Sequence, residues 1–377
     1  MSDAGNTPAN APSPNGSYTL IEILSQPLCW KSIFSDFEKT GELKNIAKQF
    51  SDVPEWLFIG CGSSYYVAQS AAATMTTLTG RRAQAIPASE LILFPELALG
   101  GRGKFLPVLI SRSGRTSEVL RVAEFFREKT IPTLGIGCAT GQALEKLVTR
   151  AIILPPADEQ STVMTRSFSS MLMTLQALAA TIAGRTDFLQ AQRTTVPKAA
   201  EVLLSTLPQQ VHSFVSKHRF DDYVALGQGG VYGIACETAL KLTEMSVSYG
   251  QSFHALEFRH GPKSIVSGRT LIVCLLSESG YSAEVEVLEE VKRLGGTTLV
   301  VANQAESRAR KAADLLFELK AEVPEAARLP LYVLSGQLMG LYTGLGKGLD
   351  PDNPRNLSRV VVLEDEDPRE EPTHAAI

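Results

Sequence analysis

Residues 56–64 read WLFIGCGSS, an apolar run ending in a Gly-x-Gly turn, and residues 223–230 read YVALGQGG, the same run and turn. An Ala-rich stretch follows each turn. A second apolar run with paired serines comes later in each copy, ISRSGRT at 110–116 and LSESGYS at 276–282. The spacing from turn to serines matches to within one residue between the copies. A repeat of this length indicates a duplicated domain rather than a short repeat unit.

Each copy alternates short apolar runs with helical stretches, which predicts an α/β fold with parallel sheets covered on both faces by helices. In the first copy the predicted strands are 56–60, 84–87, 106–111, 132–137 and 150–154, and the predicted helices are 63–79, 115–129, 142–148 and 164–183. In the second copy the predicted strands are 223–227, 270–276, 297–302 and 314–318, with a long helix over 329–344.

The composition along the chain predicts five segments. A Pro-, Asn- and Ser-rich arm at 1–17 is expected to be disordered, and an acidic tail at 364–377 is expected to be mobile. Between them we expect a first domain over 18–185, a helical linker over 186–222 and a second domain over 223–363. The first domain should open with a short helix that stops before Pro27.

The bulk properties exclude several classes of protein. Of the 377 residues, 44% are hydrophobic and 20% charged, with a net charge of −4, so the basic excess of a nucleic-acid binder is missing. No apolar run reaches the roughly 18–20 residues of a membrane helix, and the first residues lack a signal-peptide pattern. Five cysteines without close pairing indicate reduced thiols in a cytoplasmic protein, and no zinc-binding spacing occurs.

The first-copy turns at 60–64 and 111–116 are candidates for binding a phosphate group. Each ends a predicted strand and opens a helix, and ligands bind at this edge of an open α/β sheet. Helix N-termini offer unpaired N–H groups, and Ser111, Ser113 and Thr116 add hydroxyls. The alternative is that these are ordinary helix caps. Two such loops at one edge favour the phosphate site, whereas the dinucleotide and P-loop patterns both fail on spacing.

The first turn of the second copy, Gln228-Gly229-Gly230, lacks the serines of the first-copy turn, and titratable side chains follow it instead. Glu237, Lys241 and Glu244 fall at i, i+4 and i+7, so they share one face of the helix after the Gln228 turn. They form either a solvated ion-pair face or part of a catalytic set. His260 precedes a Gly-Pro turn, and histidine beside a carboxylate and a lysine suits acid–base catalysis, although a single loop histidine is commonly incidental.

Six motifs in this order resemble the sugar isomerase (SIS) family over about residues 18–363: CGSSY, SRSGRTSE, VMTRSFSSML, ETALKLTE, FRHGPKS and DPDNPRNLSRVVVLE. Within the family they are similar to the isomerase half of glucosamine-6-phosphate synthase and to amino-sugar-phosphate deaminase/isomerases. The resemblance implies two tandem SIS domains, each a five-stranded parallel sheet between helices. It also implies a sugar phosphate bound to the first domain and a homodimer with shared active sites.

Site residues carry over motif by motif, and their roles are those the resemblance implies. The phosphate would be held by Ser64, Ser111, Arg112, Ser113 and Thr116. The sugar would be lined by Thr162, Val163, Met164 and Thr165. Glu244 matches the base that moves a proton between C1 and C2, Lys241 a lysine near the reacting end, and His260 a ring-opening histidine from the partner subunit. Arg359, also counted as substrate-binding, replaces a lysine of the synthase pattern and cannot serve as a readily titrating amine.

These expectations describe an enzyme without cofactor or metal, an amino-sugar-6-phosphate deaminase/isomerase that releases ammonia. The chain begins Met1-Ser2 without a glutaminase domain, so glutamine-dependent synthesis is not expected. Arg112 and FRHGPKS resemble the galactosamine branch and the tail resembles the synthase, which leaves the epimer open. The alternatives are an isomerase or deglycase for a substrate without a 2-amino group, and a non-catalytic sugar-phosphate sensor.

Overall fold

The computed structural model describes residues 14–363. Residues 1–13 of the expected arm and the whole acidic tail at 364–377 therefore lie outside the described residues. Residues 14–16 precede the first helix, and the Gly16 amide donates to Asp350 Oδ1 at 3.1 Å. Helix α1 (Ser17–Leu24) begins one residue inside the segment expected to be disordered.

The first copy forms a parallel sheet of five strands, as expected. The strands are β1 (Glu55–Gly60), β2 (Arg82–Pro87), β3 (Phe105–Ile110), β4 (Leu134–Gly137) and β5 (Arg150–Ile153), and their order across the sheet is β2-β1-β3-β4-β5. All pairs are parallel. Strand β1 is buried throughout because helices cover both faces, whereas the edge strand β2 is largely accessible.

Helices connect and cover these strands. They are α2 (Gln26–Thr40), α3 (Glu42–Gln49), α4 (Ser63–Thr79), α5 (Ala88–Leu93), α6 (Pro95–Leu99), α7 (Ser117–Glu128), α8 (Ala143–Leu147) and α9 (Arg166–Ile182). The helix expected to stop before Pro27 ends earlier, at Leu24, and Pro27 lies in the first turn of α2. Proline fits there because the first amides of a helix have no intrahelical partner.

Three further helices lead to the second copy: α10 (Thr186–Gln190), α11 (Val196–Leu204) and α12 (Leu207–Lys217). A π-helical turn at Ala191–Thr195 joins the first two of them. The second sheet contains β6 (Asp222–Gly227), β7 (Gly250–His254), β8 (Thr270–Leu275), β9 (Thr297–Ala302) and β10 (Leu315–Glu318), in the order β10-β9-β8-β6-β7. Its helices are α13 (Tyr232–Ser246), α14 (Tyr281–Arg293), α15 (Ser307–Ala312) and α16 (Leu329–Gly346).

Strand β7 is absent from the strands that the residue pattern predicted, although the family resemblance implied a fifth strand. Its sequence, GQSFH, has one large apolar residue, Phe253, and the strand is only half-buried. It pairs with β6 at the edge of the sheet, where one side of the strand needs no apolar partner. A period-2 or continuous apolar pattern is therefore missing, and such patterns are what identify strands in a sequence.

The two copies share one hydrophobic core through α4, α13 and α16. Helices α13 and α16 approach closely because glycines on α16 face α13: a Cβ at Gly340 would lie 2.7 Å from the Lys241 carbonyl oxygen. Gly233 on α13 faces α4 in the same way, with the Tyr66 carbonyl oxygen at 2.7 Å. Helix α13, which carries the charged residues of the second copy, is therefore enclosed on two sides.

The segment after α16 returns to the start of the first copy. Asp352 Oδ1 accepts hydrogen bonds from the Thr19 amide and from Thr19 Oγ1, both at 2.7 Å, and its Oδ2 accepts from the Tyr18 amide at 3.1 Å. This carboxylate satisfies the free amides at the beginning of α1. Across residues 14–363, none of the helices has both the length and the apolar character that crossing a bilayer requires.

Candidate active site

Two loops of the first copy meet at one edge of the sheet because they follow the neighbouring strands β1 and β3. In the turn between β1 and α4, a Cβ at Gly60 would lie 2.7 Å from the Ser64 carbonyl carbon, so only glycine fits. The second loop, residues 111–116, is called here the hydroxyl loop. In it Ser111 Oγ and Thr116 Oγ1 are 3.0 Å apart, and Ser113 Oγ accepts from the Arg115 amide at 3.2 Å. The structure thus groups Ser111, Ser113 and Thr116 in one loop, which follows the strand paired with the one that leads to Ser64.

Arg112 lies in the hydroxyl loop, but its guanidinium is already engaged by the protein. Nη1 donates to Glu159 Oε2 at 3.2 Å and Nη2 to the Arg359 carbonyl oxygen at 2.9 Å, and the side chain is 6% exposed. A phosphate group would have to share this guanidinium with Glu159. The contact with Glu159 was not expected from the sequence.

Glu159 is a buried carboxylate that accepts several hydrogen bonds, and the sequence motifs did not identify it as a site residue. Besides Arg112, its carboxylate accepts from the Thr165 amide at 2.7 Å, from Thr165 Oγ1 at 2.9 Å and from the Ser167 amide at 3.1 Å. It therefore fixes the start of α9 relative to the hydroxyl loop. The sequence around Glu159 does not reveal this role, because the contacts depend on how the chain folds in three dimensions.

The segment expected to line the sugar lies between these elements. The Thr162 amide donates to the Asp352 carbonyl oxygen at 2.9 Å, and Met164 Sδ is 4.0 Å from Ser64 Oγ. Val163 is buried, whereas Thr162 and Met164 are partly accessible. Ser64, Thr162 and Met164 are therefore brought near one another, while Val163 packs into the core.

Arg359 does not reach the charged residues of α13 through any hydrogen bond or ion pair among residues 14–363. Its guanidinium instead donates to Asp158 Oδ1 at 2.6 Å on the surface. Beyond it, the Val361 carbonyl oxygen accepts from the Ser117 amide at 3.3 Å, at the start of α7. The C-terminal segment thus lies along the hydroxyl loop, with the Arg359 side chain directed to the first copy.

The charged stripe of α13, defined as Glu237, Lys241 and Glu244, is buried rather than solvated. Lys241 and Glu237 have no exposed side-chain surface, and Glu244 retains 19%. Lys241 Nζ lies 3.3 Å from Glu237 Oε1 and also donates to Glu244 Oε2. A lysine between two carboxylates in the interior is an arrangement suited to moving or holding a proton.

The surroundings shift the pKa values of two stripe residues. Burial, opposed by Lys241 and reinforced by Glu244, raises the pKa of Glu237 to about 8. Burial alone would lower the pKa of Lys241, but the carboxylates of Glu237 and Glu244 outweigh it and raise that pKa above its usual value. Lys241 is therefore an ammonium at neutral pH, whereas the raised pKa of Glu237 favours the protonated carboxyl group there.

A hydrogen bond joins the stripe to the first copy. Ser63 Oγ, in the turn before α4, donates to Glu237 Oε1 at 3.1 Å. Glu237 Oε2 is buried and has no hydrogen-bond partner within residues 14–363. The turn that precedes α4 and the charged stripe are thus in direct contact. Ser63 lies inside the CGSSY motif, yet the sequence comparison did not single it out.

His260 occupies an exposed loop away from these contacts. Its neighbours Arg259 and Lys263 bind Glu290 at 2.9 and 2.5 Å, which fixes the loop on α14. Within residues 14–363 the imidazole makes no hydrogen bond, and none links it to Glu244. Within residues 14–363 of one chain, His260 is therefore not bonded to the charged stripe.

Comparison with known proteins agrees with the duplicated fold. The family model for the SIS domain matches residues 49–181 and 222–342, one match for each copy. Among curated proteins, the glutamine–fructose-6-phosphate aminotransferase (isomerizing) of Methanothermobacter thermautotrophicus is 26% identical over 353 residues, which cover 92% of this chain and 58% of that protein. The chain thus spans somewhat more than half the length of that relative.

Among the solved structures that resemble this chain over most of its length, two serve as examples. The glucosamine-6-phosphate deaminase of Thermotoga maritima is 29% identical with a TM-score of 0.76, covering 92% of this chain and 100% of that chain. The tagatose-6-phosphate ketose/aldose isomerase of Escherichia coli is 23% identical with a TM-score of 0.79, covering 95% and 98%. The similarity to the E. coli protein shows that the two chains share a fold.

Proposed function

The chain belongs to the SIS domain family of phosphosugar isomerases, and from this premise we propose that it is an amino-sugar-6-phosphate deaminase/isomerase. The observation that carries the proposal is the link from the first-copy edge to the charged stripe through Ser63 and Glu237. A phosphate anchor at one end and a carboxylate–lysine pair at the other suit a short sugar phosphate. The full coverage of the T. maritima deaminase supports the same reaction class.

Each group has a defined role in the proposed reaction. Hydroxyls of Ser64, Ser111, Ser113 and Thr116, with nearby amides, hold the phosphate and so fix the position of the reacting carbons. Glu244 removes the proton from C2 of the open-chain amino sugar and returns it to C1, while Lys241 donates a hydrogen bond to this carboxylate and lies near the oxygen on C1. The product is an imine at C2. Water adds to it, ammonia leaves, and the ketose phosphate remains.

The experiment that tests this function measures ammonia and ketose phosphate from glucosamine 6-phosphate and galactosamine 6-phosphate, side by side and without glutamine. We expect equal amounts of the two products from one of the amino sugars, and the productive epimer identifies the substrate. Binding without either product would contradict the proposal. Ketose formation from glucose 6-phosphate alone would instead identify an isomerase for a substrate without the amino group.

Ring opening needs an acid–base group near O5, and we propose that His260 supplies it from a second subunit. The support is that His260 is exposed, makes no hydrogen bond within residues 14–363 and is not joined to the stripe of its own chain. A twofold dimer in which each loop enters the other chain's site would place two histidines symmetrically. The homodimer is thus part of the proposed mechanism.

Mixed dimers test the shared site. Glu244→Gln and His260→Asn should each lower turnover strongly, yet their equal co-expression should restore about a quarter of the sites, because each heterodimer has one site free of both substitutions. Co-expression of Glu244→Gln with Lys241→Met serves as the control and should restore nothing, since both changes affect the same stripe. A purified Glu244→Gln/His260→Asn heterodimer without activity would refute the sharing of His260.

A further inference from the structure

The second copy contains a counterpart of the hydroxyl loop that the proposed function does not use. Strands β3 and β8 are the middle strands of their sheets, and each is followed by a Ser-x-Ser-Gly sequence: Ser111 to Gly114 in the first copy and Ser277 to Gly280 in the second. Residues 277–282 are called here the second-copy loop. Duplication has therefore placed two similar loops at equivalent edges, and only one of them has a proposed ligand.

In the hydroxyl loop no carboxylate of residues 14–363 accepts a hydrogen bond from the three hydroxyls. Ser111 Oγ and Thr116 Oγ1 bond to each other, and Ser113 Oγ accepts from a backbone amide. These donors can rotate toward a ligand. An incoming oxyanion therefore does not have to displace an acidic side chain from them.

In the second-copy loop an acidic side chain takes these positions. Glu325, just before α16, accepts from the Glu278 amide through Oε1 and from Ser279 Oγ at 2.9 Å through Oε2. A carboxylate that bridges a backbone N–H and a serine hydroxyl uses the same kind of donors that loops of this type offer to phosphate oxygens. The chain's own anion thus occupies the second-copy loop.

Two other carboxyl groups lie near Glu325: Glu284, which has a raised pKa, and Glu278, which is paired with an arginine. Glu284 is 2% exposed, and burial raises its pKa to about 7 although its carboxylate accepts from the Ser277 amide at 2.6 Å and from Ser277 Oγ at 2.8 Å. The Glu278 carboxylate forms an ion pair with buried Arg328. Glu325 is therefore the carboxylate whose removal frees donors at the loop without exposing an unpaired buried charge.

Space for a ligand lies beside this carboxylate. A cavity of about 520 Å³ is bounded by Glu325, Ser279 and the Gln228 turn of the second copy, together with Thr74 and Thr77 on α4. Its size falls within the range of small-molecule sites. The second-copy loop does differ in shape, since Gly114 has φ +63° and Gly280 has φ −102°. Glu325 thus occupies the donors on the cavity side of the loop, Ser279 Oγ and the Glu278 amide, while Glu284 holds Ser277 and the loop conformation differs from that of the first copy.

We propose that the second copy retains an anion-binding cradle and that the Glu325 carboxylate fills it in place of a phosphate group. Glu325 is then a specificity-determining residue that restricts phosphosugar binding to the first copy. The ligand class of the opened cradle is a phosphate monoester or inorganic phosphate. The inference rests on the proposed function only for the identity of the first-copy ligand.

The test is the number of anions bound per chain, measured by equilibrium dialysis with glucitol 6-phosphate, an open-chain sugar phosphate that cannot react, and with inorganic phosphate. Wild-type protein should bind one glucitol 6-phosphate per chain, and Glu325→Ser should bind two. Adding Ser279→Ala to Glu325→Ser should abolish the added site. Glu322→Ser is the matched control, because Glu322 is an exposed carboxylate three residues away that bonds Gln304 instead of the loop.

The outcomes separate this inference from the proposed function. A folded Glu325→Ser protein with one site, or wild-type protein with two, would overturn the role of Glu325. If wild-type protein binds no glucitol 6-phosphate, the proposed function fails, and the inference is then decided by whether Glu325→Ser gains a site for inorganic phosphate. Should Glu325→Ser not fold, Glu325→Gln, which keeps the side-chain size without the charge, takes its place with the same expected gain.

Discussion

Replacing Glu244 by glutamine should lower kcat by about 10²–10⁴-fold while leaving the affinity for glucitol 6-phosphate unchanged. The amide cannot accept the C2 proton, so the chemical step loses its base. Its oxygen can still accept a hydrogen bond from Lys241, and Glu237 remains paired with the same ammonium. The site should therefore keep its shape, and the substitution should separate proton transfer from binding.

The measurement combines steady-state kinetics with binding of the unreactive ligand. Glu289→Gln is the matched control, because Glu289 on α14 forms a surface ion pair with Arg308 on α15 and has no part in the stripe. It should keep wild-type turnover. Wild-type turnover in Glu244→Gln would remove Glu244 from the mechanism, whereas loss of binding together with turnover would show that the carboxylate holds the ligand rather than moving a proton.

Replacing Lys241 by methionine should abolish turnover and, at pH 9, where Glu237 is ionised because its pKa is about 8, should also lower the free energy of unfolding by about 3–5 kcal/mol. Methionine fills much of the volume but leaves two carboxylates without their shared cation. Glu237 has no exposed side-chain surface, so water cannot compensate for the loss. Denaturant unfolding, followed with and without glucitol 6-phosphate, measures the effect.

A second substitution distinguishes charge from packing. Adding Glu237→Gln to Lys241→Met removes the fully buried charge and should recover much of the stability without recovering turnover, which gives a non-additive double-mutant cycle. Lys39→Met is the surface control, since Lys39 pairs with Asp36 on an exposed face and its loss should change stability little. Equal stabilities of Lys241→Met and wild-type protein would contradict the assigned buried ion pair.

Much of the fold could be predicted from the sequence because parallel strands covered on both faces must be apolar along their length. Strands β1 and β8 are of this kind, with every residue buried, and both were predicted to within one residue at each end. The edge strand β7 was missed from the residue pattern because its position demands no such run. The predicted two-sheet architecture is confirmed, and the error lies where burial is weakest.

The site could be predicted less completely, for a different physical reason. Glu237, Lys241 and Glu244 were grouped correctly because helical spacing is local, but the pattern alone allowed a solvated face. Their burial depends on glycines of α16 that lie some hundred positions later in the chain. The Arg112–Glu159 and Ser63–Glu237 contacts are also long-range, and a single sequence carries no signal for such pairs.

The hydrogen bonds of Asp352 determine when helix α1 can be completed during synthesis of the chain. Its carboxylate closes the amino end of α1 by bonding Thr19, which lies 333 positions earlier in the chain. During synthesis at about 5–20 residues per second, those amides wait for roughly tens of seconds before their partner emerges from the ribosome. The beginning of α1 is therefore secured only after most of residues 14–363 have been synthesised.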